Sequence, residues 1–137
     1  MISGSAAETE AIGARLAAEL EPGDLVLVVG EVGTGKTTLI RGACRALGVE
    51  EPVVSPTFTI GRRYRGRVPV SHLDLYRLRD SGADSEDLAL LDDELSAERI
   101  VFVEWPEAVP AEELGPVAVR VVLRHAGGEE REVEISR

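Results

Sequence analysis

Eight consecutive residues, from Gly30 to Thr37, combine three glycines with a lysine and a final threonine. The segment Gly-Glu-Val-Gly-Thr-Gly-Lys-Thr matches the phosphate-binding pattern G-x-x-x-x-G-K-[ST], the P-loop, at every fixed position. Glycines let backbone N–H groups approach phosphate oxygens, the lysine ammonium reaches the β- and γ-phosphates, and the threonine hydroxyl binds Mg²⁺. An ordinary glycine-rich turn before a helix is the alternative. The pattern predicts a nucleoside triphosphate site built on Lys36 and Thr37.

Two acidic residues, Asp74 and Glu104, each follow a segment rich in strand-forming residues, 68–73 and 100–103. In an open α/β sheet such positions face the ligand, and a hydrolytic P-loop needs an acid for the metal and a group that activates water. Either acid could instead cap a helix or lie in solvent, and the sequence leaves open which one touches Mg²⁺ directly. The predicted catalytic residues are Lys36, Asp74 and Glu104, and the predicted metal ligands are Thr37, Asp74 and Glu104.

The apolar spacing predicts the elements that hold these groups. A capping box at Ser5 and Glu8 predicts a helix over about residues 6–20. The apolar run 25–29 predicts a strand covered on both faces, which leads into the P-loop and a helix over 36–47. Further predictions are a hairpin from 57–64 and 68–73, a loop and short helix within 80–93, a strand over 100–103, and a closing hairpin from 117–123 and 132–135.

Together these elements predict an α/β fold, a P-loop NTPase-like sandwich with a mixed, mainly parallel central sheet and an antiparallel edge. The length of 137 residues favours one domain spanning residues 1–137.

Composition and charge restrict the classes of function. The net charge of −10 argues against tight, independent nucleic-acid binding, and DNA is not an expected partner. No apolar run reaches the roughly 18 residues of a membrane span, and the first residues do not resemble a signal peptide, so we expect a cytoplasmic protein without a membrane partner. Lys36 is the one lysine among 15 basic residues, and it stands where phosphate chemistry favours a compact ammonium.

Four segments, in this order along the chain, resemble the TsaE family of small bacterial ATPases needed to make threonylcarbamoyladenosine in tRNA. The likeness includes the N-terminal helix with Thr9 and Gly13 and covers nearly the whole chain. The segments are Gly33-Thr34-Gly35-Lys36-Thr37-Thr38, Ser55-Pro56-Thr57-Phe58, His72-Leu73-Asp74-Leu75-Tyr76-Arg77-Leu78 and Glu104-Trp105-Pro106.

The resemblance implies an Mg²⁺-dependent ATPase, weak alone, that acts with the TsaD and TsaB proteins and reaches tRNA only through that complex. It implies that ATP hydrolysis resets or rearranges the TsaD–TsaB assembly between turnovers. By position, Asp74 matches a Walker-B-like aspartate and Glu104 its acidic partner, while residues 55–58 resemble a switch segment that responds to the γ-phosphate. The implied nucleotide-binding residues are Gly33, Thr34, Gly35, Lys36, Thr37, Thr38 and Trp105.

Several residues keep two interpretations. The arginines at 62, 63, 65 and 67 are a solvated hairpin face or a surface for tRNA, a partner or phosphate. His72 is interpreted as structural rather than as a base, Arg77 as a functional residue or half of an ion pair, and Cys44 as core.

Two other functions remain open from the residues alone. One is a P-loop small-molecule kinase, for which 137 residues leave little room for an acceptor pocket and lid. The other is a nucleotide-binding switch module that hydrolyses ATP negligibly.

Overall fold

A computed structural model describes residues 1–55, 60–96 and 98–137 of the chain. The strands within these residues are β1 (Ile2–Ser3), β2 (Leu25–Val29), β3 (Gly61–Arg65), β4 (Pro69–Asp74), β5 (Ile100–Glu104), β6 (Val119–His125) and β7 (Arg131–Ser136). The α-helices are α1 (Ala6–Ala17), α2 (Lys36–Ala46), α3 (Leu78–Ser81) and α4 (Ser85–Ser96). None of the described helices has the length and apolar character that would let it span a bilayer.

The seven described strands form one sheet in the order β1-β7-β6-β2-β5-β4-β3. The four central strands, β6, β2, β5 and β4, are parallel to one another. The outer pairs are antiparallel: β3–β4 and β6–β7 are hairpins, and β1 pairs with β7 from the other end of the chain. The predicted α/β fold with a mixed sheet is confirmed, and antiparallel pairing occurs at both edges.

The parallel centre explains the apolar runs of the sequence, since such strands are covered on both faces. On one face α1 and α2 pack against Val26, Val28 and Phe102. On the other face Leu91 of α4 packs in a second apolar core with Val101. The prediction that residues 1–137 form one domain stays a prediction.

Helices α1 and α2 approach each other closely at two glycines. A Cβ at Gly13 would lie 2.0 Å from the Leu39 carbonyl oxygen, and a Cβ at Gly42 would lie 2.0 Å from the Glu10 carbonyl oxygen. Both distances are to backbone atoms, so neither clash can be relieved by a side-chain movement. The absence of side chains at these two positions therefore permits the close packing of α1 against α2, the helix that follows the P-loop.

The observed elements differ from the predicted ones in several places, including β6, which runs from Val119 to His125 rather than over 117–123. Helix α1 ends at Ala17 rather than near residue 20, because the next N–H groups donate to carbonyls three residues back in tight turns before Pro22. Helix α4 is longer than the short helix expected. Strand β1, two residues at the edge of the sheet, was not predicted. The predicted hairpin segment 57–64 lies partly outside the described residues.

Candidate functional site

The carboxyl ends of β2, β4 and β5 border a cleft of about 600 Å³. In the sheet register Glu104 lies opposite both Val28 and Asp74, so the parallel strands bring both predicted acids beside the P-loop. A cleft of several hundred Å³ is the usual size of a small-molecule site. The predicted site residues that line it are Gly33, Gly35, Lys36, Thr37, Thr38, Asp74, Glu104 and Trp105.

The P-loop has a backbone shape that favours an anion. Gly33 and Gly35 have φ values of +80° and +97°, a region that side chains rarely tolerate. The first N–H groups of α2 have no intrahelical acceptors, as in any helix, and Gly35 before them supplies no side-chain cap. These groups and the helix dipole favour a phosphate at the N-terminus of α2.

Thr34 is the one predicted phosphate-binding residue in the described loop that does not line the cleft. It is 1% exposed, and its Oγ1 donates to the Glu31 carbonyl at 2.7 Å. Its side chain therefore braces the loop from inside, which leaves only its backbone for the predicted phosphate contact.

Lys36 lies folded back onto its own loop. Its Nζ donates to the carbonyl oxygens of Gly30 (2.6 Å) and Glu31 (2.9 Å), and it lies 4.6 Å from the centre of the Trp105 ring. Burial lowers the pKa of Lys36, while the charge of Glu104 opposes that shift. A phosphate in the cleft would offer this ammonium a full negative charge in place of two carbonyl dipoles.

Glu104, the last residue of β5, is the centre of the polar contacts in the cleft. Its Oε2 accepts from Thr37 Oγ1 at 3.0 Å, lies 2.6 Å from His72 Nε2, and accepts from Ser55 Oγ at 3.5 Å. The hydroxyls of Thr37 and Ser55 are themselves 2.6 Å apart. The carboxylate thus contacts the predicted metal-binding hydroxyl directly, with 4% of its side chain exposed.

Asp74 ends β4 beside Glu104 and accepts a hydrogen bond from the Tyr76 backbone N–H at 3.0 Å. Burial raises the pKa of Asp74, and the neighbouring Glu104 raises it further, while the Tyr76 N–H and the positive charge of Lys36 lower it. Two carboxylates and one ammonium therefore share a partly buried space. A divalent cation bound there would relieve the repulsion between the carboxylates.

The donor set fits a magnesium ion that binds together with phosphate. Thr37, Asp74 and Glu104 offer hydroxyl and carboxylate oxygens, which Mg²⁺ prefers. In residues 1–55, 60–96 and 98–137, no group of three or more His, Cys, Asp or Glu side chains could hold a metal alone. Mg²⁺ commonly keeps several waters and adds one or two carboxylates to substrate phosphates. These residues fit a metal that arrives with a nucleotide.

Trp105 forms one wall of the cleft in a strained backbone conformation, with a φ of +58°. Its ring meets Tyr76 edge to face at 4.9 Å between centroids, and the guanidinium of Arg79 lies 4.3 Å from the Tyr76 centroid. Non-glycine residues in this region cost conformational energy and concentrate at functional sites. The contact with Lys36 makes Trp105 part of the predicted phosphate site.

The outer wall of the cleft was not predicted from the sequence. It comes from the start of α1, including Ser5 and Thr9, and from Glu129 and Arg131 of the last hairpin. Arg131 donates to the Gly33 carbonyl at 3.1 Å, so the hairpin also touches the P-loop. Only the pairing of β6 with β2 brings this hairpin near, and no local pattern reports that pairing.

The structure places His72 against Glu104, with Nε2 2.6 Å from Oε2, so the expectation that no relay partner lies nearby is wrong, while the interpretation of His72 as a structural residue rather than a base stays a prediction. The alternation of strand side chains could have placed it, since His72 and Asp74 are two residues apart and so share a face of β4.

Other singled-out residues lie away from the cleft. Arg77 lies 3.7 Å from Asp87 in a partly exposed ion pair, and Cys44 is buried with a pKa raised to about 12 by burial. Arg63 pairs with Glu94, and Arg67 donates to the Ala46 carbonyl, which supports a structural role for these two. Of the predicted switch segment 55–58, only Ser55 lies within the described residues.

The chain is similar to known proteins of one family. Residues 3–133 match the family model described as "Threonylcarbamoyl adenosine biosynthesis protein TsaE". The Bacillus subtilis protein named tRNA threonylcarbamoyladenosine biosynthesis protein TsaE is 39% identical over 127 residues, 92% of this chain and 77% of the relative. A Treponema pallidum protein of the same name is 33% identical over 141 residues, 98% of each chain.

A solved structure is also similar. The crystal structure of Bacillus subtilis YdiB superposes with a TM-score of 0.77 at 32% sequence identity, covering 97% of this chain and 80% of that one. The match therefore extends over both the P-loop half and the closing hairpin. By sequence and by fold, the chain belongs to the TsaE family, which acts in the biosynthesis of threonylcarbamoyladenosine in tRNA.

Proposed function

We propose that this chain is an Mg²⁺-dependent ATPase that supports threonylcarbamoylation of tRNA. The observation that carries the proposal is the direct contact of Glu104 with the P-loop Thr37, with Asp74 alongside. A phosphate-binding loop alone would hold a nucleotide. The acid pair beside it supplies what hydrolysis needs in addition, a metal ligand and a group that orients water.

Each residue has a distinct part in this chemistry. The N-terminus of α2 and the Lys36 ammonium bind the β- and γ-phosphates. Thr37 and one carboxylate would hold Mg²⁺, which neutralises charge that develops on the phosphate oxygens. The second carboxylate orients the attacking water and takes up its proton. Because Asp74 is the more open acid, we assign it to the metal, and we assign Glu104, whose carboxylate contacts Thr37, to the attacking water.

We further propose that the chain acts in the cytoplasm on an assembly of TsaD and TsaB, not on tRNA directly. The charge supports an indirect path to tRNA, because a net charge of −10 opposes an independent approach to a polyanion. In the described hairpin, Arg63 and Arg67 are engaged in internal contacts. Arg131, in the last hairpin, faces the cleft and donates a hydrogen bond to the P-loop.

Phosphate release from ATP tests the hydrolysis. We expect Mg²⁺-dependent turnover by the unmodified chain that EDTA abolishes and that Lys36→Ala loses. Phosphorylation of a small acceptor faster than phosphate release would establish a kinase instead. Tight ATP binding without turnover, even with TsaD and TsaB present, would establish a switch module.

A further inference from the structure

We propose that His72 is a positioning residue that holds the carboxylate of Glu104 in its working orientation. The inference rests on the proposed ATPase function and adds to it a residue outside the P-loop and the two acids. His72 Nε2 lies 2.6 Å from Glu104 Oε2, the shortest of the three polar contacts to that oxygen described above. A carboxylate only accepts, so the Nε2 atom carries the proton of this hydrogen bond.

The sheet itself fixes this contact. Side chains two residues apart on a strand share a face, so His72 points the same way as Asp74. Glu104 lies opposite Asp74 in the parallel register of β4 and β5, which places His72 diagonally across from it. Both partners therefore sit on central strands, and both are buried, with side-chain exposures of 0% and 4%.

The other ring nitrogen argues against a purely structural role. His72 Nδ1 is buried and has no hydrogen-bond partner among the described residues. Buried polar atoms are nearly always paired, and leaving one unpaired costs stability. A leucine would leave no polar atom unpaired at this position. The presence of an imidazole at position 72 is therefore explained by the hydrogen bond that its Nε2 atom donates to Glu104.

The remaining partners of Glu104 show why a fixed donor is needed. Thr37 and Ser55 share Oε2 with His72. Thr37 is the predicted magnesium ligand and Ser55 is the first residue of the predicted switch segment, so we expect both hydroxyls to change partners when a nucleotide binds. His72 lies on strand β4 and keeps its partner. Its hydrogen bond therefore holds the Glu104 carboxylate in place while ATP binds and is hydrolysed.

The test separates positioning from folding with three variants. His72→Leu removes the donor, His72→Gln keeps an N–H donor near the Nε2 position, and Ser71→Ala is the control. Ser71 is the neighbouring residue, is also buried, and exchanges hydrogen bonds with Glu94 and Arg99 rather than with the cleft. The chain is assayed for ATP turnover with TsaD and TsaB, and its KM, ATP affinity and Tm are measured in parallel.

We expect His72→Leu to lower kcat about 10- to 100-fold, the usual effect of removing the partner that orients a functional ligand, with ATP affinity changed less than about threefold. His72→Gln should recover most of kcat. Ser71→Ala should keep kcat whatever its Tm. Unchanged kcat in a folded His72→Leu, or no recovery with folded His72→Gln, overturns the proposal.

A second measurement needs no turnover. The chain has two histidines, so the imidazole ¹⁵N and N–H resonances of His72 can be assigned with a His125→Gln variant. Glu104→Gln should shift the His72 Nε2–H resonance and leave that of His125 unchanged. An unshifted His72 resonance refutes the contact. A shifted resonance in a chain that never hydrolyses ATP refutes the proposed function while leaving the contact intact.

Discussion

Exchanging Glu104 for glutamine removes the central negative charge of the cleft while keeping the size of the side chain. The contacts from Thr37 and His72 both go to one oxygen, Oε2. A glutamine carbonyl oxygen can accept those same two hydrogen bonds. The substitution therefore tests the charge of the residue with little disturbance of its packing.

The expected change in stability is small. A hydrogen bond to a charged group contributes about 1 kcal/mol more than one between neutral groups, so two such bonds weaken by about 2 kcal/mol together. Loss of the repulsion with Asp74, and of the cost of burying a charge, offsets much of this. We expect the Tm of Glu104→Gln to stay within a few degrees of the unmodified chain.

The expected change in activity is large. A positioned general base typically contributes about 10²- to 10⁴-fold to the rate. We therefore expect kcat for ATP to fall at least about 100-fold, which corresponds to roughly 2.7 kcal/mol in the activation barrier. ATP affinity should persist, because the P-loop and Lys36 are unchanged.

The assay is phosphate release with TsaD and TsaB present, accompanied by equilibrium ATP binding and thermal unfolding. Glu107→Gln is the matched control, since it makes the same change in charge at an exposed residue three positions away that also acts on Lys36. Turnover by Glu104→Gln within about threefold of the unmodified chain, in a folded protein that binds ATP, would refute the role assigned to Glu104.

Three further predictions concern single residues. Folding raises the pKa of Asp74, so its contribution to stability is present below its ordinary value of 3.8 and is lost as pH rises through the raised value. Asp74→Asn should therefore raise the Tm at pH 7, with the gain vanishing toward pH 4; a gain independent of pH would contradict this. Gly13→Ala should destabilise the fold by about 1–3 kcal/mol in urea unfolding, because its methyl group meets the Leu39 carbonyl, whereas Gly127→Ala has open space and tests only backbone strain. Trp105, the single tryptophan, should change its fluorescence on binding ATP as Lys36 leaves its ring, and unchanged emission at saturating ATP would count against that movement.

Sequence patterns predicted the parts of the fold that depend on neighbours along the chain. The run Leu25–Val29 predicts a buried strand because both faces of a central parallel strand are covered. The P-loop follows from its spacing, and the two acids follow from the rule that ligands lie beyond the carboxyl ends of such strands. In the structure Asp74 and Glu104 lie side by side at the carboxyl ends of two neighbouring parallel strands, as that rule predicts.

Other features depend on contacts between distant segments. The approach of Gly13 to the Leu39 carbonyl depends on how two helices cross, and the contact of Arg131 with Gly33 depends on the position of β6 beside β2. The inward turn of the Thr34 side chain depends on the rotamer that the loop imposes. None of these contacts leaves a periodic signal in the sequence. The outer wall of the cleft and the packing of α1 against α2 can therefore be seen only in the structure.

We propose that the acid pair beside the P-loop serves ATP hydrolysis in support of TsaD and TsaB. The most direct measurement is Mg²⁺-dependent ATP turnover by the unmodified chain alone, with each partner separately, and with both together. We expect slow turnover alone and a clear change in rate with both partners, accompanied by a complex in size-exclusion chromatography. A rate that both partners leave unaltered, with no complex detected, would contradict this function.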